Sequence, residues 1–104
     1  MSLEVDDLLP VDVIRERLRN NLQADLVDYR VKRRSEWDGE GFDVVYDIVV
    51  LWRQPEEIEG KNWGYHSGVI RRTQGGPYTV EIFWGHYRRE ETQARKDYKE
   101  KRFL

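Results

Sequence analysis

Apolar side chains recur every three to four positions near the start of the chain. Val11, Ile14, Leu18 and Leu22 fall on one face, which is the spacing of an amphipathic helix. Pro10 suits the first turn, where its missing N–H would be unpaired anyway. Arg15, Glu16, Arg17 and Arg19 fall mostly on the opposite side, where a surface helix exposes its charge. The pattern predicts a helix from about Pro10 to Gln23.

From Val27 the period becomes two. Val27, Tyr29, Val31, Arg33, Ser35 and Trp37 share one face, and Asp28, Arg30, Lys32, Arg34 and Glu36 share the other, which reads as wet. After Asp38-Gly39-Glu40-Gly41 the alternation resumes, with Phe42, Val44, Tyr46, Ile48, Val50 and Trp52 set against Asp43, Val45, Asp47, Val49 and Leu51. Asp-Gly between two such runs is a strong hairpin signal, because both central positions of a type I′ turn require positive φ. A turn at Asp38-Gly39 places Val27 opposite Val50, Tyr29 opposite Ile48 and Val31 opposite Tyr46. A slip of one residue would set apolar against polar along the whole ladder.

Residues 53–62 show no apolar period and contain Pro55 and Gly60, which predicts a loop. A second hairpin follows: Tyr65 to Thr73, then Gln74-Gly75-Gly76-Pro77, then Tyr78 to Trp84 with Tyr78, Val80, Ile82 and Trp84 on one face. Pro77 cannot donate the bond that closes a two-residue Gly-Gly turn, so a longer loop closed by Thr73 and Tyr78 is expected, with the register open by one residue. From Tyr87 to Leu104 charge dominates. Ala94 and Tyr98 are the one apolar pair at helical spacing, and Glu91 with Arg95 and Asp97 with Lys101 are favourable i, i+4 pairs. This predicts a polar helix that either packs weakly through Tyr87, Ala94 and Tyr98 or awaits a partner. The expected fold is a single α+β domain over residues 1–104. Its N-terminal helix packs on a four-stranded antiparallel sheet of two hairpins, and a polar C-terminal helix follows.

Composition narrows the chemistry. With 104 residues and no cysteine, the chain has room for one core and excludes disulfides, thiolate metal sites and cysteine nucleophiles. The longest apolar run, Ile48 to Trp52, falls far short of the roughly 20 residues needed to cross a bilayer. The first residues lack the basic start and apolar stretch of a signal peptide, so a cytoplasmic location is expected. Charge is divided unevenly. Residues 1–60 carry 15 acids against 8 bases, and residues 61–104 carry 5 against 10. Such a split suits a surface aimed at a polyanion, or faces that complement each other within or between copies.

The two histidines sit in similar settings, Trp63-Gly64-Tyr65-His66 and Trp84-Gly85-His86-Tyr87. With a loop from Gln74 to Pro77, His66 meets Gly85 and His86 meets Tyr65, on opposite faces. In the register shifted by one, the histidines become cross-strand neighbours, and only that register could build a two-histidine metal or acid/base pair. No catalytic triad, phosphate-binding loop or calcium loop is present. Asp43 and Asp47 are four residues apart on one strand, roughly 13 Å, which is too far for a coupled dyad and reads as a wet strand edge. No metal and no cofactor is expected.

The better candidate is the interleaving of cations and aromatics: Lys61, Trp63, Tyr65, His66, Arg71, Arg72, Trp84, His86, Tyr87, Arg88, Arg89, Arg95 and Arg102. Rings between cations could stack the bases of a single-stranded nucleic acid on a sheet open to water on one side. The same residue types are enriched in protein-interface hot spots. The expected function is a non-enzymatic interaction module that self-assembles as a homo-oligomer or binds another protein through the second hairpin and the C-terminal helix, with Trp84 left to the core. Single-stranded nucleic-acid binding is the alternative, and a small enzyme or ligand site built on His66 and His86 comes third. No membrane partner is expected.

Overall fold

A computed structural model describes residues 11–37, 39–72 and 78–103. They form α1 (Val11–Leu22), β1 (Asp25–Trp37), β2 (Phe42–Ile58), β3 (Lys61–Arg72), β4 (Tyr78–Arg88) and α2 (Glu91–Glu100). The strands make an antiparallel meander in the order β1-β2-β3-β4, so the protein is α+β with a four-stranded sheet. Pro10, the expected start of the first helix, lies outside the described residues. Among the described residues no helix is long and apolar enough to cross a membrane.

α1 covers one face of the sheet. Its i, i+4 pair Ile14 and Leu18 is fully buried against Tyr46, Ile48, Val50, Trp52, Ile70 and Val80, with Tyr29, Val31 and Ile82 packed around them. The helix ends at Gln23, whose φ of 53° turns the chain back. The Gln23 and Ala24 amides donate to the carbonyls of Arg19 and Leu18 at 3.1 and 3.2 Å, satisfying groups that a helix end leaves open.

The first hairpin keeps the expected parity but not the expected register. Tyr29 pairs with Val50, Val31 with Ile48 and Arg33 with Tyr46, and the ladder closes at Trp37 with Phe42. The connection is therefore four residues long rather than two. Gly39 supplies a φ of 100° within it, and Asp38 lies outside the described residues. A shift of two residues leaves every side chain on its own face, so hydrophobic alternation does not detect it. A bulge between Leu26 and Asp28 takes Val27 out of the ladder and leaves it 37% exposed, while Leu26 packs toward the core in its place.

Residues 53–62 are not a loop. β2 runs on to Ile58, which pairs with Lys61 across a two-residue turn. Both central residues of that turn, Glu59 and Gly60, have positive φ, 54° and 77°, as a type I′ turn requires. Glutamate is an uncommon residue there, which is why the turn was not apparent. Pro55 lies within the irregularity between Arg53 and Ile58, where the ladder is interrupted, a position that tolerates a missing donor.

In the second hairpin the register expected for a Gln74–Pro77 loop holds only at the far end, and the register that would set His66 opposite His86 does not occur. Arg72 to Ser67 pair with Tyr78 to Phe83 in one register, and Tyr65 and Trp63 pair with His86 and Arg88 in the other, with a bulge between them. The loop residues Gln74 to Pro77 lie outside the described residues.

The second face of the sheet is covered too. α2 buries Ala94 and Tyr98 against Val49, Leu51, Trp63 and Tyr65, and Phe103 packs alongside. Asp47, expected on a wet edge, is 5% exposed and is held at 2.8 Å by the Arg34 guanidinium. The C-terminal helix is thus docked, through Ala94 and Tyr98 but not through Tyr87, which lies on the α1 face beside Trp52.

Candidate binding surfaces

The repeated tryptophan-glycine pairs have a structural reason. A Cβ on Gly64 would lie 2.1 Å from Cζ2 of Trp52, and one on Gly85 would lie 2.0 Å from Nε2 of His66. Each glycine lets a ring from the neighbouring strand lie flat on its backbone. Trp52 and His66 thereby form a step across the sheet that ends at Tyr87. The Tyr87 ring stands edge-on to both, at centroid distances of 5.3 and 5.9 Å.

Trp52 Nε1–H donates to Nδ1 of His66 at 2.8 Å, which assigns the proton of the neutral imidazole to Nε2. Burial, helped by nearby His86 and Lys101, pushes the His66 pKa from 6.5 down to about 4. At neutral pH this ring is an uncharged donor whose one acceptor is already used, so it is not placed to act as a base. His86 lies on the other face, stacked on Tyr65 at 4.9 Å, with Lys101 Nζ 3.4 Å from its Nε2. The bulged hairpin therefore does not bring the two histidines together, and no metal-binding cluster of His, Cys, Asp or Glu occurs among the described residues.

The remaining candidates are divided between the faces. Trp63 and Tyr65 are 8% and 5% exposed, beneath α2. The guanidiniums of Arg53 and Arg95 lie 5.7 and 5.6 Å from the Trp63 ring centroid. Arg88 pairs with Asp97 of α2 at 2.7 Å and donates to the Tyr65 hydroxyl at 3.3 Å. The same pairing holds the Asp97 carboxyl below its usual range. Arg71 pairs with Glu36 at 2.5 Å, and Arg34 joins Glu36 to Asp47. Arg95 pairs with Glu91 along the helix at 2.9 Å, and Arg89 donates to the Gly60 carbonyl at 3.1 Å. Arg102 is exposed, and its carbonyl accepts from Ser67 Oγ. The side chains of Arg72 and Trp84 lie outside those described.

The side chains of two charged patches make no hydrogen bond or ion pair among the described residues. On the outer side of α2, Lys96 and Lys99 are exposed, and Arg102 is exposed just beyond the end of the helix. At the end of β2, Glu56 and Glu57 are exposed. The start of α2 lies toward the β2–β3 turn, where Arg89 is bonded to Gly60 and Arg95 lies over Trp63, and its end lies over the middle of the sheet, where the Arg102 carbonyl meets Ser67.

The sequence reading missed one feature. A cavity of about 500 Å³ opens between the end of α1 and the β2–β3 hairpin, lined by Asn20, Asn21, Leu22, Gln23, Gln54, Glu59, Lys61 and Tyr87. Of these only Lys61 and Tyr87 were among the candidates. In the sequence the amides read as helix surface or loop, and the one signal that groups them is their density on either side of the first hairpin.

The fold defines a class, an α+β domain whose four-stranded sheet lies between two helices. Comparison with protein-family models, curated proteins and solved structures finds no match for the chain.

Proposed function

We propose that the protein is a non-enzymatic interaction module that self-associates through α2 and the β2–β3 hairpin. The observation that carries this reading is a pair of exposed patches of opposite sign on one chain, Lys96, Lys99 and Arg102 on and just after α2 against Glu56 and Glu57 near the end of β2. A two-fold axis between copies lets each acidic strand end meet the other copy's helix, so both patches are used at once. Charge of this kind sets orientation and encounter rate more than affinity. Phe83, 37% exposed and on the α2 face with its strand partner Ser67, is available as an apolar anchor.

The geometry favours this over nucleic-acid binding. Stacked bases need open ring faces, whereas Trp63 and Tyr65 are buried beneath α2, and Arg71, Arg88 and Arg95 are neutralised by acids of the same chain. The test is sedimentation velocity at roughly 50 and 500 mM salt, concentrations that span strong and weak screening of surface charge. The wild type is expected to dimerise at low salt and dissociate at high salt, with no absorbance at 260 nm beyond that of its own aromatic residues. Lys96→Glu combined with Lys99→Glu should be monomeric with an unchanged thermal midpoint. Mixing it with Glu56→Lys, Glu57→Lys should restore a heterodimer. A wild-type monomer at every salt concentration would end the proposal.

A further inference from the structure

The cavity at the end of α1 is held open by contacts on both sides. Gln54 Nε2 donates to the Leu22 carbonyl at 2.7 Å, tying β2 to the end of the helix. Across the cavity, Arg89 fixes the β2–β3 turn through the Gly60 carbonyl. A Cβ on Gly60 would come within 2.7 Å of that guanidinium, so the turn and Arg89 fit closely. Tyr87 forms an aromatic wall, supported edge-on by Trp52 and His66 and 43% exposed.

The polar lining has a consistent character. Asn20, Asn21, Gln23 and Gln54 contribute side-chain amides, each able to donate and accept. Glu59 and Lys61 contribute one charge of each sign. The side chains of Asn20, Asn21, Gln23, Glu59 and Lys61 make no hydrogen bond to another described residue, so their capacity faces the opening. The last turn of α1 brings the partly negative carbonyl end of the helix to the rim, which disfavours an anion, and the ammonium of Lys61 disfavours a cation. Paired donors and acceptors beside an exposed ring match a molecule that carries many hydroxyls, no net charge and an apolar C–H face. A volume of about 500 Å³ is within the range of small-ligand sites.

We propose that this cavity binds a neutral polyhydroxylated ligand, a mono- or disaccharide, on the ring of Tyr87. The site borders the proposed self-association surface at the β2–β3 hairpin but uses Gln54, Glu59 and Lys61 rather than Glu56 and Glu57, and it does not depend on self-association. The experiment titrates ¹⁵N-labelled protein with glucose, N-acetylglucosamine, maltose and cellobiose, each to roughly 50 mM, with inorganic phosphate as the anionic probe, a range that captures millimolar affinities. At least one sugar should give saturable shifts at Asn20 to Gln23, Gln54, Lys61 and Tyr87 and change Trp fluorescence, with phosphate silent. Tyr87→Ala should weaken binding about tenfold or more, Tyr87→Phe should retain most of it, and Asn20→Ala with Asn21→Ala, both exposed in the fold, should weaken it with the thermal midpoint unchanged. The proposal is overturned if no sugar shifts these amides, if phosphate alone does, or if the Asn20, Asn21 and Tyr87 variants all bind like the wild type.

Discussion

The two faces of the sheet are covered by helices of similar length that dock by different means. Beneath α1 lies an aliphatic layer in which Ile14, Leu18, Ile48, Val50, Trp52 and Ile70 are all fully buried. Beneath α2 the apolar layer is thinner, and charged groups complete it. The Arg30 guanidinium, from an edge strand, donates to the Tyr98 carbonyl at 2.7 Å and also to the Lys101 carbonyl, filling open acceptors at the C-terminus of α2 where the helix dipole favours a cation. Arg88 reaches from β4 to Asp97. A helix that is polar nearly all round therefore packs firmly when the sheet beneath it supplies cations to its carbonyl end and its acid.

The comparison is broken most severely at its aliphatic side. Leu18→Ala should cost about 2 to 5 kcal/mol, read from denaturant midpoints, and an unchanged midpoint would mean that α1 does not cover the sheet. On the other face, Arg30→Met keeps the length of the stem but removes the donors to α2. It should cost on the order of 2 to 3 kcal/mol and lower the helical signal before the sheet unfolds; a loss under about 0.5 kcal/mol would reduce the cap to an ordinary surface contact.

Acid should sharpen the contrast. The folded His66 pKa, about 4, lies below its ordinary 6.5, so the unfolded chain takes up the proton first as pH falls. The stability this confers is complete above about pH 6.5 and is lost progressively down to about pH 4, on the order of 2 kcal/mol after allowance for screening. His86 is shifted the same way but is exposed and adds little. Glu36 and Asp97, with lowered values, lose their contributions only as pH falls into and below the carboxylate range. Urea midpoints between pH 7 and 4.5 therefore report mainly His66, and His66→Gln, which retains an acceptor for Trp52, should flatten that slope. The smallest effect is expected for Tyr98→Phe. The Tyr98 hydroxyl is buried without a hydrogen-bond partner among the described residues, and burial raises its pKa to about 12. Its removal should leave stability within about 0.5 kcal/mol of wild type or raise it.

Much of the α1 side was legible because its signals are periodic. Ile14 and Leu18 at four-residue spacing, and Tyr46, Ile48, Val50 and Trp52 at two, identify a helix and a strand that share one core. Parity follows from the same alternation. Register does not, because a four-residue connection in place of a two-residue one moves every pair by two and changes no face. The α2 side was hidden for a different reason. Arg30, Arg34 and Arg88 are charged and count as wet in any hydropathy pattern, yet each is placed by a partner on another element: Arg30 by α2 carbonyls, Arg34 by Asp47 and Arg88 by Asp97. The histidine question was settled by a bulge that shifts the register by one within the hairpin and leaves no trace in the alternation; beyond it His86 pairs with Tyr65, on the face opposite His66. The cavity escaped notice because its walls are a helix end and a type I′ turn with glutamate where asparagine or glycine is usual.

Native-state hydrogen exchange along α2 tests the central claim, that this polar helix belongs to the fold and presents its outer basic side as a surface. The amides of Ala94 to Lys99 should be protected to nearly the same degree as those of Val49 and Leu51 beneath them, and Arg30→Met should reduce protection in the helix alone. Exchange of Ala94 to Lys99 at the rate of an unfolded chain, with β2 and β3 fully protected, would show that α2 does not dock and would contradict the account.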